Sequence, residues 1–170
     1  AVNFGVVYGI SDFGLSNNLG ISRKAAKTYI DTYFERYPDI KKYMEDIVRS
    51  AKDTGFVETL YHRRRNLPDI NARNFSVRSF AERTAINSPI QGSAADILKV
   101  AMINLDHTLT AGKYKSKMLL QVHDEIVLDV PNEELAVMQT LVKKTMEEAI
   151  SLSVPLLVDE NNGKTWYDAK

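Results

Sequence analysis

The chain has 170 residues and a mass of 19.2 kDa, with 44% hydrophobic and 26% charged residues and only 8 glycines and 5 prolines. This composition is typical of globular proteins, and it excludes collagen-like, low-complexity and wholly disordered chains. The lack of cysteine excludes disulfides and thiolate metal sites. No apolar run approaches the ~18 residues of a membrane span, so we expect a soluble, cytoplasmic protein with no membrane partner.

Charge is unevenly distributed, although the formal net charge is zero. Residues 1–122 hold 18 Lys and Arg against 12 Asp and Glu, whereas residues 123–170 hold 4 against 10. Six arginines fall within one short stretch, here called the arginine belt: Arg63, Arg64, Arg65, Arg73, Arg78 and Arg83. A basic belt beside an acidic end suits a protein that binds phosphates and cations, but an ordinary solvated surface explains the charges equally well.

The first third of the chain is predicted to be helical. An apolar segment, AVNFGVVYG, occupies residues 1–9 and is followed by a short helix around Asp12–Leu19. Ser22 is the expected N-cap of a long helix that carries an apolar stripe. Pro38 is expected to kink this helix, and Gly55 is expected to end it.

The middle of the chain combines a hairpin with a second long helix. Phe56–Leu60 and Asn66–Ile70 are predicted to form a loose hairpin around His62 and the first three belt arginines. A helix from about Ser76 to Leu109 should follow, interrupted near Asn87-Ser88-Pro89 because proline lacks the N–H that an interior helical position needs.

The last third alternates between strand and helix patterns. Lys117 to Val130 shows period-two alternation and is predicted to be a hairpin with His123-Asp124-Glu125 at its tip. Asn132 is the expected cap of an amphipathic helix through Ile150, and a final strand is predicted near Leu156–Glu160. Long helices with a small, antiparallel sheet place the chain in the α+β class.

Two polar groups and one aromatic pair could carry chemistry. Arg83, Asn87 and Gln91 lie four residues apart and so share one helix face, from which they could donate to the acceptors of a DNA minor groove. An ordinary solvated helix face explains the same pattern. Phe4 and Tyr8, near two glycines, could stack on a base or sugar, although a core stripe is the commoner explanation of such spacing.

The turn sequence His123-Asp124-Glu125 is the second polar group. Adjacent carboxylates at a turn can bind hard divalent cations through oxygen, and histidine could contact a phosphate or a sugar. Aspartate is also simply common in turns, which is the plainer explanation.

Taken together, these segments resemble the bacterial DNA polymerase I family, family A of the DNA-directed DNA polymerases. Four segments carry the resemblance in the family's order: NFGVVYG at residues 3–9 (the end of motif B), GFVETL at 55–60 leading into Arg63–Arg65, Arg83 through Gly92 before AAD at 94–96, and QVHDE at 121–125 (motif C). The resemblance covers essentially the whole chain.

The resemblance implies a fold and a reaction. Residues 1–65 would belong to the helical fingers, and residues 66–170 would belong to the palm. The reaction would be template-directed attack of a primer 3′-hydroxyl on a deoxynucleoside triphosphate with two Mg²⁺ ions, in DNA replication and repair. The implied partners are primer–template DNA and deoxynucleoside triphosphates.

The resemblance also implies roles for individual residues. Asp124 matches the metal-binding catalytic aspartate of motif C, and Glu125 matches the supporting catalytic carboxylate beside it. His123 matches a residue that contacts DNA near the primer terminus. Arg83, Asn87 and Gln91 match residues that contact the primer–template. Phe4 matches a residue that contacts the incoming sugar, and Tyr8 matches one that contacts the templating base.

The chain departs from the family pattern in what it lacks. The arginine and lysine that begin motif B, the motif A strand with the other metal-binding aspartate, and the thumb are not among the 170 residues. We therefore expect a C-terminal fragment that is inactive alone and that self-associates through severed apolar surface. Two alternatives stay open, a non-catalytic nucleic-acid-binding module and a small metal-dependent hydrolase built on His123-Asp124-Glu125.

Overall fold

The computed structural model of the chain describes residue 5 and residues 9–169. The predictions for Phe4 and Tyr8 therefore lie outside the described residues. From Asp12 onward the elements are α1 (Asp12–Leu19), α2 (Arg23–Arg36), α3 (Pro38–Thr54), β1 (Phe56–Glu58), β2 (Arg64–Asn66), α4 (Phe75–Ala111), β3 (Lys117–Val122), β4 (Glu125–Asp129), a 3₁₀ turn (Asn132–Glu134) and α5 (Leu135–Glu147). The strands form two antiparallel pairs, β1 with β2 and β3 with β4. The predicted α+β class is confirmed.

The chain divides into two compact units, residues 1–93 and residues 94–170. This division falls within α4. The expected boundary between fingers and palm at residue 65 stays a prediction. None of the helices in the described part of the chain is both long and apolar enough to cross a bilayer.

Two helix ends of the first unit lie at the capping residues that the sequence predicts, Ser22 and Gly55. The Ser22 hydroxyl accepts a hydrogen bond from the N–H of Ala25 at 3.2 Å, and Gly55 ends α3 with φ 81. The expected kink at Pro38 is wrong, because the helix ends before it and α3 begins at Pro38. Tyr37 between them has non-helical φ −127 and ψ 68. Proline is well placed at a first helical position, where its missing N–H leaves no bond unmade.

The first hairpin is shorter than predicted. Its second strand is Arg64–Asn66, paired with Phe56–Glu58, and the expected strand at Asn66–Ile70 is wrong. Residues 67 to 70 instead form a turn whose apolar members, Leu67 and Ile70, are buried. They join the core of this unit: Ala51, Val57, Leu67, Ile70, Ala81 and Ala85. Burial of these side chains takes precedence over continued strand pairing.

Helix α4 continues through Pro89, so the predicted interruption is wrong. An interior proline costs a helix about 3 kcal/mol, because it removes one hydrogen bond and crowds the preceding turn. That preceding turn is well packed here, since Ala85 and Ile86 are buried and the hydroxyl of Tyr43 on α3 donates to the Ile86 carbonyl at 3.1 Å. Tertiary packing therefore overrides the local preference.

The second unit is built around the predicted hairpin, which is confirmed. Strands β3 and β4 pair from Lys117 with Asp129 to Val122 with Glu125, with a bulge between Met118 and Leu120. The hairpin packs on a core from α4 and α5 centred on three buried side chains: Leu105, Leu109 and Met138.

Two predictions in the second unit are wrong. Asn132 begins a 3₁₀ turn and caps no helix by its side chain, and α5 runs from Leu135 to Glu147. The expected strand at Leu156–Glu160 does not form. Its backbone is held by a side chain instead, because the Val158 N–H donates to the Glu147 carboxylate at 3.0 Å. Among the described strands, β3 and β4 pair only with each other, so this segment joins neither edge of their sheet.

Candidate functional site

The structure brings Arg83, Asn87 and Gln91 together on one face of α4. The three residues are spaced four apart on an uninterrupted helix, so each is turned only about 40° from the last. Arg83 and Gln91 are exposed, and Asn87 is partly buried. We call these three residues the helix face. It carries a guanidinium and two amides, which are the donor groups that base-edge acceptors require.

The arginine of the helix face is held by two neighbours. Its Nη1 donates to the Ser79 hydroxyl at 2.8 Å, one turn earlier on the same helix. Gly9 packs against its aliphatic stem, because a Cβ built at Gly9 would lie 3.4 Å from Arg83 Cγ. Gly9 also has φ 72, a left-handed conformation that side chains rarely adopt. The last residue of the segment similar to motif B thus lies against the helix face.

Tyr43 is a contributor that the sequence does not reveal. Its hydroxyl donates to the carbonyl of Ile86, which directly precedes Asn87. Burial raises the pKa of the Tyr43 hydroxyl, so it stays protonated and remains a donor. The sequence places Tyr43 only on an apolar stripe, and no local signal marks its hydrogen bond.

Two members of the arginine belt, Arg64 and Arg78, form hydrogen bonds to nearby residues. Arg64 Nε donates to Glu58 at 2.7 Å, and this contact is the largest cause of the lowered pKa of the Glu58 carboxyl. Arg78 donates to the backbone carbonyls of Ala72 and Arg73 at 2.9 and 3.4 Å. These two arginines therefore stabilise the loops around them.

The hairpin tip, His123 to Glu125, carries the second set of predicted site residues. His123 and Asp124 form the turn between β3 and β4, and Glu125 is the first residue of β4. His123 has φ 54, and its carbonyl accepts a hydrogen bond from Gln121 Nε2 at 2.7 Å. All three side chains are exposed. Neither carboxylate forms a hydrogen bond or an ion pair within the described residues, so both are accessible to a ligand.

The hairpin tip has the right donor type for a hard cation, but few donors. Carboxylate oxygens are the ligands that Mg²⁺ prefers. The two carboxylates are adjacent in sequence, and no group of three or more His, Cys, Asp or Glu in the described part of the chain could hold a metal ion. The tip alone therefore holds too few ligands for a complete metal site.

Known proteins match this chain over nearly its whole length. The family model of DNA polymerase family A matches residues 1–168. DNA polymerase I of Lactococcus lactis subsp. lactis is 77% identical over 170 residues, that of Streptococcus pneumoniae serotype 4 is 76% identical, and that of Bacillus caldotenax is 59% identical. Each match covers 100% of this chain and 19% of the relative, so the chain spans about a fifth of the length of these relatives.

A solved structure agrees with these matches. It is described as the POL domain of Pol1 from M. smegmatis in complex with DNA primer-template and dNTP. The two structures match with a TM-score of 0.95 at 42% sequence identity, and the match covers 98% of this chain and 30% of that chain. Sequence and structure therefore give the same answer: the chain belongs to DNA polymerase family A.

Proposed function

We propose that these 170 residues are a C-terminal part of a DNA polymerase I that adds deoxynucleotides to a primer 3′ end under the direction of a template. The match of the family model to residues 1–168 carries this proposal. The M. smegmatis structure supports the choice of partners, since it holds primer–template DNA and a dNTP. Family membership also favours a polymerase over the small metal-dependent hydrolase.

Asp124 is proposed as a metal-binding catalytic residue, with Glu125 as the supporting carboxylate. Their exposed oxygens suit Mg²⁺ by type, but two adjacent groups on one turn are too few for the six oxygen ligands of an octahedral ion. A motif A strand, which these residues do not contain, would supply a further carboxylate, and water and the triphosphate would supply the other oxygens. Bound Mg²⁺ would supply stabilisation of negative charge during phosphoryl transfer.

The helix face is proposed as the part that recognises the primer–template duplex. The minor groove presents acceptors at every base pair, so a guanidinium and two amides can sense duplex geometry without reading one sequence. His123, exposed at the hairpin tip, is proposed to contact DNA near the primer terminus. Phe4 and Tyr8, outside the described residues, are proposed to contact the incoming sugar and the templating base.

The isolated chain is proposed to bind primer–template weakly and to extend it undetectably. It holds donors for phosphate and base edges, which favours binding, whereas its metal site is incomplete. With donors for DNA and an incomplete metal site, the isolated chain would act as a nucleic-acid-binding module, although the complete polymerase is an enzyme. Self-association also stays a prediction, supported by exposed apolar side chains such as Phe75 and Phe80.

Primer extension tests the proposal. The purified 170-residue chain and the complete polymerase that contains it are each given a labelled primer–template, Mg²⁺ and all four deoxynucleoside triphosphates. We expect extension by the complete polymerase and none by the chain. If the 170-residue chain extends the primer strongly, and if Asp124→Ala abolishes that extension, then the metal site of the chain is complete and the proposed inactivity is wrong. Inactivity of the complete polymerase would contradict the proposed activity itself.

A further inference from the structure

The core contacts of the hairpin formed by β3 and β4 lie at its base. The hairpin residues that pack against the buried core of the second unit are Met118, Leu128 and Val130. Met118 pairs with Leu128 next to the open end of the hairpin, and Val130 follows β4. A two-stranded hairpin has little stability of its own. The direction in which its turn points therefore depends on the contacts at the base.

Glu134 closes the base of this hairpin. One of its carboxylate oxygens accepts from the Lys115 N–H at 2.9 Å, and the other accepts from the N–H and the hydroxyl of Ser116 at 2.9 and 2.6 Å. Lys115 and Ser116 directly precede β3, whereas Glu134 follows β4. We call these three hydrogen bonds the carboxylate clasp. The clasp joins the chain that enters the hairpin to the chain that leaves it.

The backbone of Glu134 is itself held in place. Its N–H donates to the Pro131 carbonyl at 2.9 Å, and α5 begins at the next residue. Acidic side chains at the start of a helix commonly serve that helix, by capping it or by balancing its dipole. In the described structure the Glu134 side chain makes no capping hydrogen bond to α5. Its carboxylate is used across the hairpin base, and it thereby ties the hairpin to the start of α5.

The clasp is protected, whereas the contact beside it is exposed. Ser116 is buried and Glu134 is half-buried. The bond from the Lys115 N–H, followed by that from the Ser116 hydroxyl, lowers the pKa of the Glu134 carboxyl, so it is ionised at neutral pH and accepts all three donors. The adjacent Glu133 lies 3.6 Å from Lys115 Nζ, but both side chains are mostly exposed, and such pairs contribute little.

A small movement at the clasp would become a large one at the hairpin tip. Strand β3 has six residues, and with a rise of about 3.3 Å each the tip lies about 20 Å from the clasp. Over that length a rotation of about 3° at the base moves the tip by about 1 Å, and a misplacement of that size can cost catalysis about a hundredfold.

We propose that Glu134 is a positioning residue for primer extension, which fixes through the clasp where the hairpin tip holds Asp124. This rests on the proposed function, because that function gives Asp124 its role in binding metal. Ser116 is the partner that receives Glu134 at the base of β3. Neither residue is expected to touch DNA, nucleotide or metal, so their loss should lower the rate of the chemical step and leave substrate affinity unchanged.

Single-turnover extension by the complete polymerase tests this proposal, with primer–template affinity measured by fluorescence anisotropy. In Glu134→Gln an amide nitrogen replaces one oxygen and cannot accept from the facing donor. We expect the maximal rate to fall about tenfold with affinity changed by less than about twofold. Ser116→Ala removes one of the three bonds and should give a smaller loss of rate. Glu133→Gln is the matched control and should keep the wild-type rate.

A second control separates positioning from general stability, with thermal unfolding measured on every variant. Ile70→Val opens a space in the buried core of the first unit, so it should lower the unfolding temperature and keep the extension rate at temperatures well below unfolding. If Glu134→Gln does not fold, Ser116→Ala carries the same comparison.

Three outcomes would overturn the proposal. A wild-type rate in folded Glu134→Gln and Ser116→Ala with a lowered unfolding temperature would show that the clasp is only structural. An equal loss of rate and of primer–template affinity would show that Glu134 does not act through the hairpin tip. Either result leaves the proposed function standing, whereas inactivity of the folded wild-type polymerase overturns both.

Discussion

The helix face and the hairpin tip differ in how the protein holds them. Around the helix face, residues from outside α4 contact the helix: the Tyr43 hydroxyl donates to the carbonyl before Asn87, and the backbone of Gly9 lies against the Arg83 stem. At the tip, Asp124 lies in the turn and Glu125 follows it, and within residues 9–169 the side chain that bonds to this turn is Gln121. Under the proposed function, the donors for duplex recognition are preorganised within this chain, whereas the proposed catalytic carboxylates need further ligands from outside it.

The largest effect is expected at the hairpin tip. In the complete polymerase, Asp124→Asn keeps the shape of the side chain but removes its charge, and we expect extension to fall by at least about a hundredfold. Binding of primer–template should change by less than about twofold, because the helix face is untouched. Single-turnover extension and anisotropy measure the two effects. Glu125→Gln serves as the neighbouring control with a smaller loss, and a parallel loss of binding in Asp124→Asn would contradict the separation.

A smaller effect is expected on the helix face. Gln91→Ala removes one amide donor, which is worth about 1 kcal/mol or roughly fivefold in affinity. We expect this loss for matched and mismatched primer ends alike and across template sequences, measured by extension from a panel of duplexes. Asn104→Ala, which removes an exposed amide of α4 outside the helix face, should have no effect. A strong dependence on one particular base pair would contradict readout of duplex shape.

Support of the helix face by α3 can be tested through stability. Tyr43→Phe removes the hydroxyl that donates to Ile86 and leaves the ring, so we expect a loss of about 1 kcal/mol in the free energy of unfolding. That corresponds to a fall of about 2–4 °C in Tm for a chain of this size. Circular dichroism during heating measures it, with Tyr29→Phe at an exposed hydroxyl as the control. Equal Tm values for Tyr43→Phe and the wild-type chain would show that this hydrogen bond does not stabilise the helix.

The smallest effect concerns pH and the base of the hairpin. The N–H groups of Lys115 and Ser116 and the Ser116 hydroxyl donate to Glu134, and these bonds hold the pKa of its carboxyl below the ordinary value of 4.5. Because the pKa of this carboxyl is lower in the folded state, it stabilises the protein when the pH is above the ordinary pKa. That stabilisation is lost as the pH falls through the pKa of the folded state.

Glu134→Gln is therefore expected to flatten the dependence of unfolding free energy on pH below about 4.5. Denaturant unfolding at a series of pH values measures this. Glu133→Gln leaves Glu134 in place and should retain the wild-type slope. An identical pH profile in Glu134→Gln would mean that these hydrogen bonds do not stabilise the fold.

Features with a local cause could be predicted from the sequence. Ser22 and Gly55 cap helices through their own side chain or conformation, and the alternation from Lys117 to Val130 depends only on neighbouring residues. The order of the motifs was specific enough to identify the family. The site roles of Asp124 and of the helix face remain predictions.

Features that depend on distant partners could not be predicted. Pro89 stays within α4 because the turn before it is packed and bonded to a residue 43 positions earlier. Glu134 bonds to Ser116, so the α5 helix begins after the 3₁₀ turn and not at an Asn132 cap. Neither contact can be read from the local sequence, because the patterns that predict helix caps and helix breaks involve only a few neighbouring residues.

The left-handed backbone of His123 limits which replacements can be interpreted at that position. Most residues other than glycine, asparagine and aspartate adopt φ near 54 at a cost of about 1 kcal/mol or more. A β-branched replacement would distort the turn that displays Asp124, so lost activity would say nothing about the imidazole. Asparagine tolerates this conformation and lacks the ring. Only a few substitutions at position 123 can therefore remove the imidazole without distorting the turn, and His123→Asn is the informative one.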